Sequence, residues 1–382
     1  MRLAVYTDYV YTREGDAVYA ERAFALFLAG LAEHVERLVI VGRLSPRPGV
    51  SHYRLPDGVE FVALPHYSSL VNARESVPAM VRSLGRFWRV LGDVDTAWLL
   101  GPYMLSVLFG GLAALRRRRV ALGVRQDLPR YVRSRHPGKR WVHLAAGLLE
   151  GTYRLLARRW PVVVVGPELA RNYRRAGRVL PITVSLVPSE QIASPEEVAA
   201  RSYDGEELVA LSVGRLEREK NPLLLADVLA ALRELDPRWR LVIAGEGPLE
   251  SDLRARLREL GVEDAADVRG YVPIDGGLPE LYRSSHAFLH VSWTEGLPQV
   301  LFESFAAGLP VVATEVGGVP AAVGDAALLV PPGDATRPAE ELARVGRDAE
   351  LRGRLVAAGL ARVREHTLEA ETRRVAEFLG ER

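Results

Sequence analysis

Short apolar runs recur along the chain, separated by segments whose apolar positions repeat every three or four residues. In the first part, Leu3–Thr7, Leu38–Val41, Phe61–Leu64, Ala97–Leu100, Val120–Val124, Val162–Val165 and Thr183–Val187 predict buried strands. Between them, Ala17–His34 and Val77–Val90 carry the 3.6-residue period of amphipathic helices. Strands alternating with helices argue for a parallel sheet covered on both faces. From Pro188 the chain turns polar and is broken by two prolines, which predicts a linker. The alternation then resumes with strands at Leu208–Val213, Arg240–Ala244, Asp267–Tyr271, Ala287–Val291, Val311–Ala313 and Ala327–Val330. Helices are expected at Pro222–Leu235, Leu249–Leu260 and Leu368–Leu379. The expected plan is an α/β chain of two doubly wound domains, 1–187 and 207–365. A linker at 188–206 joins them, and a helical tail occupies 366–382.

The most informative stretch is Ser292–Pro320, S-W-T-E-G-L-P-Q-V-L-F-E-S-F-A-A-G-L-P-V-V-A-T-E-V-G-G-V-P. It leaves a buried strand, crosses a polar loop and enters a helix that Pro298 is expected to open, since proline suits the first helical position. Glu295, Gly296 and Leu297 then sit where free backbone N–H groups and the helix dipole favour an anion, phosphate above all. Glu303 lies eight residues after Glu295, on the same helix. Two carboxylates around an anion-binding helix start suit a ligand with both phosphate and hydroxyl groups, as a sugar nucleotide has. Two glutamates on a solvated helix face would share that spacing.

Other turns fall at strand ends, where open parallel sheets bind ligands. In V-G-R-L-E-R-E-K-N-P, Gly214 permits a tight turn and Arg215 and Lys220 are placed to meet a phosphate, or to pair with Glu217 and Glu219. The chain has 48 Arg and only two Lys, so an ordinary solvated cation here would be Arg, and Lys220 is singled out. Gly245 and Gly247 in G-E-G-P follow another strand; the third glycine of a dinucleotide fingerprint is missing.

The Glu295–Glu303 pattern, with Gly296, Pro298, Gly308 and Pro310 in place, resembles the donor-site motif of family 4 glycosyltransferases. Those are retaining enzymes of the GT-B fold, two Rossmann-like domains facing a central cleft, that use nucleoside-diphosphate sugars. The resemblance implies that Glu303 holds ribose hydroxyls and Glu295 holds hydroxyls of the donor sugar. The amides of Gly296 and Leu297 would face the diphosphate, and Arg215 and Lys220 would neutralise it as it leaves. The turn Gly245–Gly247 would lie beside the nucleotide, with the backbone at Tyr271 and Val272 near the base. The transferred unit would be a hexosyl or similar group. The N-terminal domain would receive the acceptor, and the tail helix would cross back to that domain.

The first domain departs from this pattern in two places. Relatives carry a glycine pair after the first strand, where this chain has only Gly15; Thr7 and Asp8 at the strand end line the cleft or serve turn chemistry. Many carry His-Asp after the strand at Val120–Val124, where this chain reads Arg125-Gln126-Asp127. A glutamine is no general base, so Gln126 and Asp127 are assigned to positioning. Retaining transfer then needs the departing phosphate to accept the acceptor's proton. A third departure is Ala321, where relatives often carry Glu.

Charge adds one feature. Residues 1–187 hold 28 Lys+Arg against 14 Asp+Glu, a net +14, and the remainder holds 22 against 34, a net −12. A basic first part suits a phospholipid surface or a lipid-linked or otherwise anionic acceptor, or else simply the acidic second part. Its arginines cluster at Arg116–Arg119 and through Gln126–Trp141, with no layout of a nucleic-acid module, so no nucleic-acid partner is expected. Without cysteine, thiolate sites and disulfides are excluded. The eight His show no metal-ligand spacing, and Asp93-Val94-Asp95 is taken as turn chemistry, so no metal or other cofactor is expected. His286 and His290 are taken as core histidines. No run is apolar enough to span a bilayer and no leader is evident, which predicts a cytoplasmic protein, at the membrane's inner face if the basic part docks there. The alternatives are a sugar-nucleotide epimerase of the same fold, a sugar-nucleotide-binding protein without turnover, or a nicotinamide dehydrogenase.

Overall fold

The computed structural model describes residues 1–47, 53–68, 72–135, 138–274 and 276–381. The chain divides into two compact units, Met1–Val184 with Leu368–Arg382, and Ser185–Thr367.

The first unit runs β1 (Arg2–Glu14), β2 (Ala17–Ala20), α1 (Phe24–Gly30), β3 (Arg37–Leu44), β4 (Tyr53–Arg54) and β5 (Glu60–Leu64). It continues with α2 (Ala73–Asp93), β6 (Thr96–Gly101), α3 (Met104–Leu115), β7 (Arg119–Val124), α4 (Leu128–Arg135) and α5 (Arg140–Leu156). Then come β8 (Val162–Val165), α6 (Pro167–Asn172) and β9 (Val179–Ile182). The parallel order is β5-β3-β1-β6-β7-β8-β9. These strands are near-continuous Val/Leu/Ala runs because helices cover both faces. Leu3, Ala4, Val5 and Tyr6 are all fully buried.

Two expectations change here. The segment Tyr9–Asp16 is not a loop: β1 continues to Glu14 and turns at Gly15, whose φ is +60°, into an antiparallel hairpin with β2. Tyr11 pairs with Ala20 and Thr12 with Tyr19; these alternating β-branched and aromatic residues suit a strand, and Tyr11 and Ala20 are fully buried. Ala17–His34 therefore begins as a strand rather than a helix. The last strand of the unit is Val179–Ile182, not Thr183–Val187.

The second unit runs α7 (Pro195–Ala199), β10 (Leu208–Val213), α8 (Leu223–Leu235), β11 (Trp239–Ala244), α9 (Glu250–Glu259), β12 (Ala266–Gly270) and α10 (Leu278–Ser284). It continues with β13 (Ala287–His290), α11 (Gln299–Ala306), β14 (Val311–Thr314), α12 (Val319–Val323) and β15 (Ala327–Val330). The helices α13 (Thr336–Arg347) and α14 (Ala349–Glu365) complete it. Its sheet is all parallel, in the order β12-β11-β10-β13-β14-β15. Strand order reverses between β10 and β13, the switch point at which such sheets bind ligands.

Residues 188–206 are an integral part of this unit, not a linker. Ser194 caps α7 in a reciprocal box with Glu197. Arg201 donates to the carbonyls of Ala307 (2.9 Å) and Gly308 (2.7 Å), so polar side chains there tie backbone rather than meet water.

The tail helix α15 (Leu368–Gly380) packs on α1 and beside β9 of the first unit. Val375 and Leu379 are buried there, and Glu371, fully buried, pairs with Arg374 and accepts from the Thr183 amide.

Candidate functional site

The loop after β13 curls back so that Glu295 meets the end of its own strand. Its Oε1 accepts from Ser292 Oγ at 2.7 Å and lies 3.0 Å from His290 Nε2. Lys220 Nζ, from the short helical turn Arg218–Lys220, forms an ion pair with the same oxygen. The Glu295 side chain is only 8% exposed. Burial alone would push its carboxyl up, but the His290 hydrogen bond and the Lys220 charge outweigh it and hold the pKa at about 2. Thr314 Oγ1 donates to the Ser292 carbonyl at 2.9 Å, anchoring the loop to β14.

Proline 298 sits one position earlier than expected, as the N-cap of α11, with Gln299 as the first helical residue. The amides of Gly296 and Leu297 have no hydrogen-bond partner among the described residues. They lie in the loop just before α11, where the positive end of the helix dipole favours an anion. The loop's other wall is the turn Gly317–Gly318. A Cβ at Gly317 would overlap the carbonyl of Glu295, and one at Gly318 that of Gly296, so only glycine lets the two turns lie together.

A similar approach joins the other two turns. Gly245, at φ +148°, lies so close to the Gly214 carbonyl that a Cβ would collide with it, and Gly247 packs in the same way on Leu216. Arg215 reaches Glu217 and, at 3.1 Å, Glu219, and stays half exposed. Lys220 and Arg215 thus have different settings: one holds the buried Glu295, the other sits in a solvated acidic cluster.

Glu303 projects from the second turn of α11 and accepts from Tyr282 Oη at 2.7 Å. Burial raises its carboxyl pKa, offset only in part by that bond. It lines a mostly apolar pocket with Val187, Leu278, Tyr282 and Ala306. Tyr271 and Val272 follow β12 and are half-buried, Val272 against the same apolar cluster.

Residues 194–362 match the family model described as "Glycosyl transferases group 1". Over those residues the chain is similar to group 1 glycosyltransferases. The D-inositol 3-phosphate glycosyltransferase of Saccharomonospora viridis is 34% identical over 230 residues, 56% of this chain and 52% of that protein. The O-antigen chain mannosyltransferase B of Escherichia coli is 32% identical over 163 residues, 42% of each chain. The chain thus spans about half the length or less of these curated relatives. Among solved structures, sucrose-phosphate synthase from Thermosynechococcus elongatus superposes with a TM-score of 0.72 at 19% identity, covering 98% of this chain and 97% of that one. Anabaena HepE, in complex with UDP and glucose, gives 0.70 at 17% identity with both chains fully covered. The fold is GT-B, with two Rossmann-like parallel-sheet domains.

Outside the matched residues, the first unit gathers part of the expected acceptor set. Asp8, Arg125 and Gln126 line one small pocket with Thr7 and Tyr103. Asp8 is held by Tyr6 Oη (3.0 Å), Tyr67 Oη (3.1 Å) and Arg43 Nε (3.3 Å), and burial raises its pKa. Arg125 lies over the rings of Tyr9 and Phe24, and burial pulls its pKa down to about 10. Gly15 is not in this pocket but at the hairpin tip. Asp127 caps α4, accepting from the Arg130 amide at 2.9 Å, while Gln126 is exposed.

Several other expectations are also resolved. His286 is structural: its ring nitrogens meet the Val209 amide and the Ser202 carbonyl. His290 is not a passive core residue, because its Nε2 faces Glu295; with Ser292 it is a site residue that the sequence did not expose. Of the arginine run, Arg116 stacks on Trp88, Arg118 binds the carbonyls of Leu91 and Gly92, and Arg119 that of Gly380. Those three serve the fold. Asp95 is likewise paired with Arg2. In the segment Gln126–Trp141, His136 and Pro137 lie outside the described residues. No helix among the described residues is long and apolar enough to cross a membrane.

Proposed function

We propose that the protein transfers a sugar from a nucleoside-diphosphate sugar to an acceptor hydroxyl, with retention at the anomeric carbon. The observation that carries this is the contact of Lys220 with Glu295 beside the unpaired amides of Gly296 and Leu297. A cation, orphan N–H donors and a buried carboxylate converge on one loop, the requirements of a diphosphate linked to a polyol. The bond from the anomeric carbon to the diphosphate oxygen breaks and one to the acceptor oxygen forms. The acceptor's proton passes to the departing phosphate, since Gln126 supplies no base.

In this reading Lys220 and Arg215 stabilise the charge that develops on the diphosphate, usually the largest catalytic contribution. No metal ion is assigned to that task. Arg215 would exchange Glu217 and Glu219 for phosphate oxygens on binding. Glu295, kept ionised, accepts from sugar hydroxyls. Glu303, with Tyr282 on one oxygen, offers the other to the ribose, and the apolar pocket beside it suits the nucleoside. The nucleotide in the HepE complex and the sugar-transferring relatives support this class of donor. The O-antigen mannosyltransferase supports a role in polysaccharide assembly.

The test is product analysis with UDP-, GDP- and ADP-linked hexoses and a panel of sugar, inositol and lipid-linked acceptors. The expected result is release of nucleoside diphosphate that requires acceptor, with an axially linked product from an axially linked donor. Acceptor-independent conversion of the nucleotide sugar, or an inverted linkage, would contradict the proposal.

A further inference from the structure

The outer face of α5 carries an apolar stripe that is left exposed by the described residues. Trp141, Leu144, Leu148 and Leu155 are 62%, 67%, 66% and 62% exposed. At about 100° per residue they fall within one narrow sector of the helix. The opposite sector, Ala146, Glu150 and Tyr153, is the buried one. A helix of a globular unit ordinarily buries its apolar stripe, so a second stripe facing outward marks an interaction surface.

A second feature lies beside it. A groove in the same unit is lined by Arg154, Arg158, Arg171, Arg174 and Arg175, together with Leu155 from the end of the stripe. Arg154 is answered by Glu150 at 2.9 Å, and Arg171 by Glu168 at 3.9 Å. Arg158, Arg174 and Arg175 have no carboxylate partner among the described residues, and all three are exposed. Earlier along α5, Arg140 lies on the same flank of the stripe as Arg154 at that helical period.

We infer that this face docks the protein on an anionic phospholipid surface. The stripe would enter the boundary between headgroups and acyl chains, and the arginines would hold lipid phosphates at its edge. Interfacial helices divide their labour in this way, apolar on one side and cationic along the flank. The net charge of +14 over residues 1–187 complements such a surface. A second copy of the chain fits worse: a two-fold interface places a patch on itself, which would set the arginines against one another. The inference is independent of the transfer reaction, since none of these residues belongs to the donor or acceptor sets.

The test uses the full chain and co-sedimentation with vesicles of phosphatidylcholine alone or mixed with phosphatidylglycerol. Binding to the mixed vesicles only, weakening as salt is raised, is the expected result. Leu144→Ser with Leu148→Ser should weaken it at least about tenfold. Arg158→Ser with Arg174→Ser and Arg175→Ser should weaken it by about a hundredfold, given the contribution of each basic residue near an anionic surface. Both variants should keep the wild-type melting temperature and its shift with nucleoside diphosphate, which separates loss of docking from loss of the fold or donor site. Equal partitioning of wild type and variants, or equal binding to neutral vesicles, would overturn the inference. So would a concentration-dependent dimer, seen by sedimentation velocity, that the leucine variant abolishes.

Discussion

Lys220 is one of two lysines among fifty cationic side chains, and its ammonium rests on a carboxylate that is almost wholly buried. Its rarity marked it in the sequence; its partner could not be seen there, because the two are 75 positions apart. His290 and Ser292 were hidden for a related reason. A histidine at the end of an apolar strand reads as core until the loop after it is seen to fold back. Glu295 gives this cluster a measurable signature. Its folded pKa is depressed from 4.5 to about 2. Its contribution to stability is therefore complete above about pH 4.5 and is lost as pH falls toward 2. That shift is worth ~3 kcal/mol. Urea unfolding of wild type and Glu295→Gln across that window should show the wild type losing about this much more. Parallel pH profiles would mean that Lys220 and His290 do not hold the carboxylate ionised.

The strands of the second unit were legible nearly to the residue, while its helices from 336 to 365 were not predicted. Leu208–Val213 and Ala327–Val330 begin and end as the apolar runs do, because strands buried on both faces are written as uninterrupted runs. Legibility failed where polar residues do structural work. The β1–β2 hairpin buries Tyr11 and Thr12 among Arg and Glu, and 188–206 uses a capping box and Arg201 in place of an apolar face. The glycine turns were visible as glycines, while the reason for them lies in backbones from different loops touching. Gly318→Ala forces its Cβ against the Gly296 carbonyl and must push the Glu295–Leu297 loop away from the turn. Transfer activity should fall about a hundredfold, as a misplacement near 1 Å does. Gly147→Ala, with open space around it on α5, should leave activity unchanged. Steady-state kinetics of the two variants decide, and equal activities would remove the loop from the site.

At the scale of the whole molecule, one chain builds two parallel-sheet units and returns its last helix to the first. The return of α15 was implied by resemblance alone; nothing in Leu368–Gly380 names its partner, although its apolar stripe shows that it has one. The charge split was plain in the sequence, and the structure divides its arginines into those spent on carbonyls and rings, as at Arg116, Arg118 and Arg119, and those left outward around α5. The proposed transfer requires the second unit to be a nucleoside-diphosphate site. Titration calorimetry with UDP, GDP, ADP and NAD, on wild type and Lys220→Ala, tests that most directly. One nucleoside diphosphate should bind, and loss of the ammonium should weaken it about a hundredfold, as for a charge-assisted hydrogen bond. Binding of NAD alone, or equal affinity of the two proteins for the diphosphate, would contradict it.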